Sequence, residues 1–567
     1  LNAHSKRIDL ALSAGICCVF LLLVNAFIPV DFSVNDDTTM VSILNGSYTG
    51  VPNPHAVFIG YPLSWLVSRF YATGVSISWY KWALLGSCGF GLASVLYRLY
   101  RRFPRNRLLA TLGLFGLFLP LWLYHLVHTT YTVCGALLMG CSILSYAIQP
   151  ADEDVKPGYL INLIAQAVLA FQLRDYFGYL TVPFLGVIWL EKHWGELRRN
   201  RAVWLVPLAG LMAFAVALGI DHVAYSGEWA YYKEYNDARS YLQDYHNYPD
   251  YSTHQEFINS LGLDKAEYKA LRRYDYCLLE DHTPEVTIAL SEYAKSIQPH
   301  IPMTTRVKTA VEDMVDAYLN FDLNPLIVAS FLSPSLLLLC AVGCSWQDRK
   351  CYLVTPFLLL CGIGASWLLI AYEGRMPTRV LLSLRMLTIS ASLAGLVLLF
   401  TRRKLVPLSE KTAKRLTLVL CAVSVMMIAW GAKSTWERQQ DLSVYSGDLY
   451  QYAASHPNEL FVRETNSVVF NSDDCLLEFP RAPVNLLSSG GWAVYSPAYE
   501  EKLKTLGIDR VNRSLLLRDD VHLVLSLDDE NLKRVLGISN KAVVEYEVEE
   551  SFDEGLTMIN IHSITLP

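Results

Sequence analysis

The sequence predicts a polytopic α-helical membrane protein of about eleven transmembrane helices, with an extracytoplasmic helical insertion and a C-terminal extracytoplasmic α/β domain. Three observations lead there. Of the 567 residues, 53% are hydrophobic and only 18% are charged, whereas a soluble surface usually needs about a quarter charged residues. The apolar residues gather into long runs, close to the roughly 20 residues a helix needs to cross about 30 Å of hydrocarbon. The loops between the runs alternate in charge.

The runs are 8–30, 78–97, 108–124, 130–148, 158–173, 177–191, 202–221, 324–344, 352–371, 380–401 and 416–431. Those between 158 and 191 are short and also read as one bent pair. Loops 1–7, 98–107, 149–157, 192–201, 345–351 and 402–415 carry twenty Lys and Arg, and the short loops opposite, 31–77, 125–129, 174–176 and 372–379, carry four. By the positive-inside rule the first set is cytoplasmic, and an odd number of spans then puts the C-terminus outside. At 23 residues the first run is too long for a signal-peptide core, so it reads as a retained span.

Four parts follow. Residues 1–221 form a seven-span bundle whose first outer loop, 31–77, is acidic; 222–323 form a mainly helical outer insertion; 324–431 add four spans; 432–567 form the outer α/β domain. In the insertion, Asp264 and Glu267 have the spacing of a capping box before EYKALRRYDY. The stretch EYNDARSYLQDYHNYPDY, residues 234–251, interleaves Tyr with Asn236, Asp237, Arg239 and Asp244. Such a surface stacks on sugar faces and bonds hydroxyls, or else packs over the bundle mouth with Tyr at headgroup level. In the last part, β-like runs at 460–462, 468–470, 522–527, 542–548 and 557–564 alternate with helical stretches at 498–506 and 529–536, the pattern of a small α/β unit.

From residue 432 onward there are 22 acidic and 12 basic residues, which excludes nucleic acid as a partner. No GxxxxGK[ST] and no GxGxxG after a strand argues for a nucleotide loop. Ten of the twelve Cys lie in or beside apolar runs, where a thiol is a small buried hydrophobe. Cys277 and Cys475, in the outer segments, are the one candidate disulfide pair. No CxxC or CxxH spacing suggests structural zinc.

Candidate chemistry centres on the acid loop. Asp36 and Asp37 lie just beyond the first span, ahead of a turn-rich segment and an aromatic amphipathic piece, Tyr61 to Tyr71. Transfer of a sugar to a hydroxyl needs a base for the acceptor proton and a cationic group for the departing phosphate. Either aspartate can be the base, with a slight preference for Asp37; equally, both suit the N-terminus of a helix over 38–44. Arg174, Arg375 and Arg379 stand on the outer side against the general charge bias, and guanidinium grips phosphate at two points. They are the candidates for a lipid phosphate, with anchoring or pairing to Asp175 and Glu373 as the plainer reading. His125 and His128 share a helical face, which suits acid–base help, a metal, or a polar bundle mouth. His55 is open in the same way. His55, His128 and Arg239 are taken as substrate-binding candidates, and no metal ligand set is assigned.

This pattern resembles the GT-C superfamily of integral-membrane glycosyltransferases that use polyprenyl-phosphate-linked sugars. The shared features are the first span, the acid pair Asp36-Asp37 in the first outer loop, the interfacial piece after it, many short-looped spans, and outer insertion and C-terminal domains. HTTYTVCGALL, residues 128–138, is similar to the start of the fourth span in such enzymes, and RDYFGYLTVP, residues 174–183, to an Arg-led element there. The resemblance implies that Asp36 or Asp37 is catalytic base or metal ligand. It implies a multi-pass bacterial plasma-membrane enzyme that moves a sugar to a cell-envelope glycan, lipid or protein. The acidic outer face suits a divalent cation, Mg or Mn, although many such enzymes need none. No WWDYG-like motif is present, which disfavours transfer of a whole oligosaccharide to asparagine.

Two rival readings are a polysaccharide or lipid flippase or transporter, and a non-catalytic envelope assembly protein. The first usually places ionisable residues within the spans and repeats its halves; these spans are almost free of charge and no repeat is visible. The second gives the acid pair and the outward arginines no task.

Overall fold

The computed structural model describes residues 3–28, 30–299, 301–320, 324–348, 352–403, 448–465, 483–552 and 555–566, with isolated positions between 415 and 426. Helix α1 (Ala3–Phe27) leads through a two-residue strand β1 (Asp31–Phe32) into α2 (Asn35–Asn45) and α3 (Tyr61–Tyr71). Then come α4 (Trp79–Arg102), α5 (Arg107–Val127), a second short strand β2 (His128–Thr129), α6 (Tyr131–Ile148), α7 (Pro157–Leu173), α8 (Asp175–His193) and α9 (Leu205–Ala224). Among the described residues, eight helices are long and apolar enough to cross a membrane. Ten of the eleven expected runs map onto these eight plus α7 and α8. Helix α7 has 17 residues, and α8 brings Asp175, Glu191 and Lys192 with it. The run 416–431 lies outside the described residues.

Helix α6 is the hub. It is buried along nearly its whole length and packs against α4, α7 and α8. Where lipid replaces water, helices associate through close contact of small residues. A Cβ on Gly140 of α6 would lie 2.4 Å from the Ser390 hydroxyl oxygen, and one on Gly91 of α4 would lie 2.9 Å from Cβ of Cys141.

The insertion holds α10 (Glu228–Gln243), α11 (Tyr251–Ser260), α12 (Lys265–Leu271), α13 (Pro284–Ile297) and α14 (Met303–Leu319). The expected capping box is present: the Asp264 carboxylate accepts from the Ala266 and Glu267 amides, and Glu267 accepts from the Asp264 amide. The bundle resumes with α15 (Pro325–Asp348), α16 (Val354–Tyr372) and α17 (Thr378–Arg403), and α17, which carries Ser390, packs on α6.

The C-terminal domain follows as α18 (Asp448–Ser455), β3 (Leu460–Arg463), β4 (Leu486–Ser488), α19 (Pro497–Leu506), β5 (Val521–Leu525), α20 (Asp529–Val535), β6 (Val543–Phe552) and β7 (Leu556–Thr565). Its sheet runs β4-β3-β5-β7-β6, parallel across the first three strands and antiparallel across the last two pairings. The strand expected at 468–470 and the second candidate cysteine, Cys475, lie outside the described residues, while Cys277 is a buried thiol.

Sequence reading treats the insertion and the tail as two parts, but the structure joins them. Leu242, Tyr268, Tyr276 and Leu290 of the insertion bury in the same core as Val462, Leu487, Val521 and Ile559 of the sheet. A buried ion cluster fastens them. Asp275 of the insertion meets Arg534 of α20 at 2.6 Å, and the same guanidinium holds Glu464 after β3. Removing the cation would strand two carboxylates inside the core, a loss of about 3–5 kcal/mol for a broken buried pair. Arg534→Met should therefore lower the melting temperature of the purified protein by several degrees, and an unchanged melting curve would refute the account.

Candidate active site

Helix α2 carries both acids in its first turn, where carboxylates favour the helix dipole. Its cap, Val34, makes no side-chain bond, so neither aspartate acts as the cap. Gly46, at φ 85°, ends the helix in the left-handed conformation. What positions α2 is the small parallel pairing of β1 with β2, which sets Asp31 against His128 and Phe32 against Thr129. The Ser33 amide adds a bond to the Thr129 carbonyl at 2.8 Å. The His128 ring lies 2.5 Å from the Asp31 carboxylate, and both are buried. His128 thereby straps the acid loop to the bundle through Nδ1.

Adjacent residues on a helix point about 100° apart, and the two acids part accordingly. Asp37 turns inward and is fully buried. It accepts from the Tyr80 hydroxyl of α4 at 2.6 Å and from the Tyr131 amide of α6 at 3.2 Å. Burial pushes its pKa up to about 7, against the opposing pull of Thr130, Tyr80 and Tyr131. Asp36 stays partly accessible, with 15% of its side chain exposed. Its Oδ2 lies 3.3 Å from a guanidinium nitrogen of Arg379, at the start of α17. Burial raises its pKa too, although Arg379 and Arg174 act against that.

Around Asp36 the chain assembles a cationic cluster. Arg174, between α7 and α8, lies over the rings of Tyr176 at 5.3 Å, Tyr131 at 5.6 Å and Phe58 at 6.0 Å. Its carboxylate neighbour Asp175 is well exposed and 3.9 Å away. Asp244, just past α10, accepts from Ser240 and Tyr274 and pairs with Arg239 at 3.5 Å and Arg375 at 3.4 Å. Burial opposes its charge, yet those two guanidiniums hold its pKa below the usual value. Four arginines therefore face three carboxylates, Asp36, Asp244 and the exposed Asp175. Arg239, Arg174, Arg379 and Asp244 all act electrostatically on Asp36.

The structure thus brings together Asp36, Arg174 and Arg379, and joins Arg375 to them through Asp244 and Arg239. Arg239 is buried and spends its donors on Asn236, Gln243 and Asp244, so it holds Asp244 in place. His55 stacks on Trp229 at 4.4 Å and bonds Asn53 and the Ala224 carbonyl, which ties the acid loop to the corner between α9 and α10. Sequence reading saw Asp244 only as one polar residue in a Tyr-rich stretch. Nothing local marks it as the partner of an arginine 131 positions further on.

Among the described residues, no three His, Cys, Asp or Glu side chains converge as a metal site. The carboxylates also fit a divalent cation poorly, because Asp36 and Asp244 each answer to guanidiniums and Asp37 is sealed by Tyr80 and Tyr131.

No family model and no curated protein matches the chain. Among solved structures it is similar to ArnT from Cupriavidus metallidurans in the apo state, with 13% sequence identity, 99% of each chain covered and a TM-score of 0.42.

The Asp37 carboxyl titrates near 3.8 when unfolded and near 7 when folded. The stability it gives is full below the first value and is lost as pH rises through the second. Asp37→Asn, neutral throughout, should gain on the wild type by roughly 1–4 kcal/mol between pH 5 and pH 8. Melting curves of the two proteins that shift in parallel over that range would exclude an ionising, buried Asp37.

Proposed function

We propose that the chain is an integral-membrane glycosyltransferase. It moves a sugar from a polyprenyl-phosphate-linked donor to a cell-envelope glycan, lipid or protein on the side of the acid loop. The observation that carries this is the accessible Asp36 carboxylate, 3.3 Å from Arg379, inside a cluster where guanidiniums outnumber carboxylates. A surplus of fixed positive charge suits a phosphate that arrives from the bilayer. Helix α3 supports access from that direction: it exposes Trp65, Leu66 and Phe70, with Arg69 over the Trp65 ring. The GT-C resemblance of the sequence points the same way.

In this reading the acceptor hydroxyl gives its proton to Asp36 as its oxygen attacks the anomeric carbon of the donor. The bond from that carbon to the phosphate oxygen breaks, and the polyprenyl phosphate leaves with the bonding electrons. Arg174 and Arg379 take up the charge that builds on the phosphate. Burial raises the Asp36 pKa, which makes it a better proton acceptor. Asp37, although slightly favoured by sequence, is the positioning residue: it is sealed from solvent and its hydrogen bonds fix the rotation of α2. The charge a divalent cation would bring is supplied by the arginines. The N-terminus is placed in the cytoplasm and the C-terminal domain outside, in a bacterial plasma membrane.

The test is transfer from polyprenyl-phosphate sugars by the purified protein. Asp36→Asn should lower kcat by about 10²–10⁴-fold, the usual range for general-base removal, with an unchanged melting curve. Arg379→Gln should weaken donor use at least tenfold. An Asp36→Asn variant with full activity would end the proposal.

A further inference from the structure

Helix α2 has a third face. Asn35, Thr38, Thr39, Ser42 and Asn45 recur at helical spacing and line a cavity of about 150 Å³ between α2 and the C-terminal sheet. The opposite wall holds Arg463 at the end of β3, Thr465, Ser488, Trp492 and Lys502 of α19. A cavity of that size takes a six-membered ring. Its lining is unusual for this domain, in which acidic residues outnumber basic ones 22 to 12 from residue 432 onward. Among the described residues, no carboxylate lines the cavity and two cations do.

Lys502 is the sharper of the two. Only 4% of it is exposed, and among the described residues its ammonium donates to a single acceptor, the Leu486 carbonyl at 2.7 Å, with the Tyr48 ring 4.4 Å away. An ammonium has three donors and its charge is costly to bury without a counter-ion. Burial, reinforced by Arg463, lowers its pKa to about 7. On the α2 side the Thr38 hydroxyl is buried and has no partner among the described residues. The hydroxyls and amides of the lining suit a polyol, and Trp492, Tyr48 and Tyr450 offer aromatic faces.

We infer that this cavity seats an anionic sugar ring, one that carries a phosphate or a carboxylate, with Lys502 and Arg463 on the charge and Thr38 on a ring hydroxyl. Asn35 borders the seat, and its chain neighbour Asp36 has its Cα about 3.8 Å away. If the chain transfers sugars as proposed above, the occupant belongs to the acceptor, and its reactive hydroxyl reaches Asp36 around the first turn of α2.

The test is calorimetric titration of the full chain in lipid nanodiscs with glucose 1-phosphate and with glucuronate, against glucose and inorganic phosphate. At least one charged sugar should bind at least tenfold more tightly than either comparison compound, and which one does so names the source of the charge. Lys502→Met should cost that sugar tenfold or more and leave glucose unaffected. Arg463→Gln, a partly exposed site, tests the same charge if Lys502→Met does not fold, and Thr38→Val should cost a few-fold. Equal binding of glucose and both charged sugars would overturn the inference, as would phosphate binding as well as the sugar phosphate, or titrations indifferent to Lys502 and Arg463. No turnover is needed. A protein that binds the charged sugar but transfers nothing counts against the transferase reading alone, and one that transfers normally but binds no charged sugar counts against this seat alone.

Discussion

The acid helix sits where it does because its second carboxylate is turned inward and meets donors from two spans, both on Oδ1. Burying such a group costs several kcal/mol unless donors meet it, and Asp37 finds the Tyr80 hydroxyl and the Tyr131 amide on two different spans. With Asp37 fixed, Asp36 is directed at the arginines and the Thr38 and Thr39 face at the sheet. The strand pairing of Asp31 and Phe32 with His128 and Thr129 sets the height of the helix, as Asp37 sets its rotation.

One short helix thereby separates two environments of similar charge and different texture. On one side, guanidiniums stand among aromatic rings at the ends of membrane helices, which suits a phosphate on a lipid tail. On the other, an ammonium and a guanidinium stand among hydroxyls inside a water-exposed domain, which suits a soluble headgroup. Asp36, at the first turn, faces the first, and its chain neighbour Asn35 lines the second.

Much of this was legible in the sequence, because the membrane imposes long-range order through local composition. Run length and loop charge gave the bundle, α3 falls on the aromatic piece Tyr61 to Tyr71, and the capping box of Asp264 and Glu267 is there. Asp36 is a candidate as half of the acid pair, Arg174 and Arg379 because they stand against the charge bias, and the three meet. What sequence left open is whatever depends on rotation or on distant partners. Nothing in Asp36-Asp37 says which of the two faces inward. His128 and His55 carry side chains that suit catalysis, and the fastening contacts they make with Asp31, Asn53 and the Ala224 carbonyl have no local signature. Strand β4 spans only three residues, too few to show alternation. That the insertion and the tail form one body rests on contacts such as Tyr276 with Gly491 and Asp275 with Arg534, which local patterns do not encode.

That union has a consequence for how the molecule is made. Residues 228–319 leave the ribosome long before the strands that complete their core, with α15, α16 and α17 to be threaded in between. Until β3 to β7 arrive, Tyr268, Tyr276 and Leu290 have no sheet to cover them, and an apolar surface left waiting is prone to wrong association. The outer domain is therefore a late product of biogenesis. A chain cut short near its end would lose the sheet and also display, on the half already synthesised, the greasy face by which quality-control machinery tells unfinished proteins from finished ones.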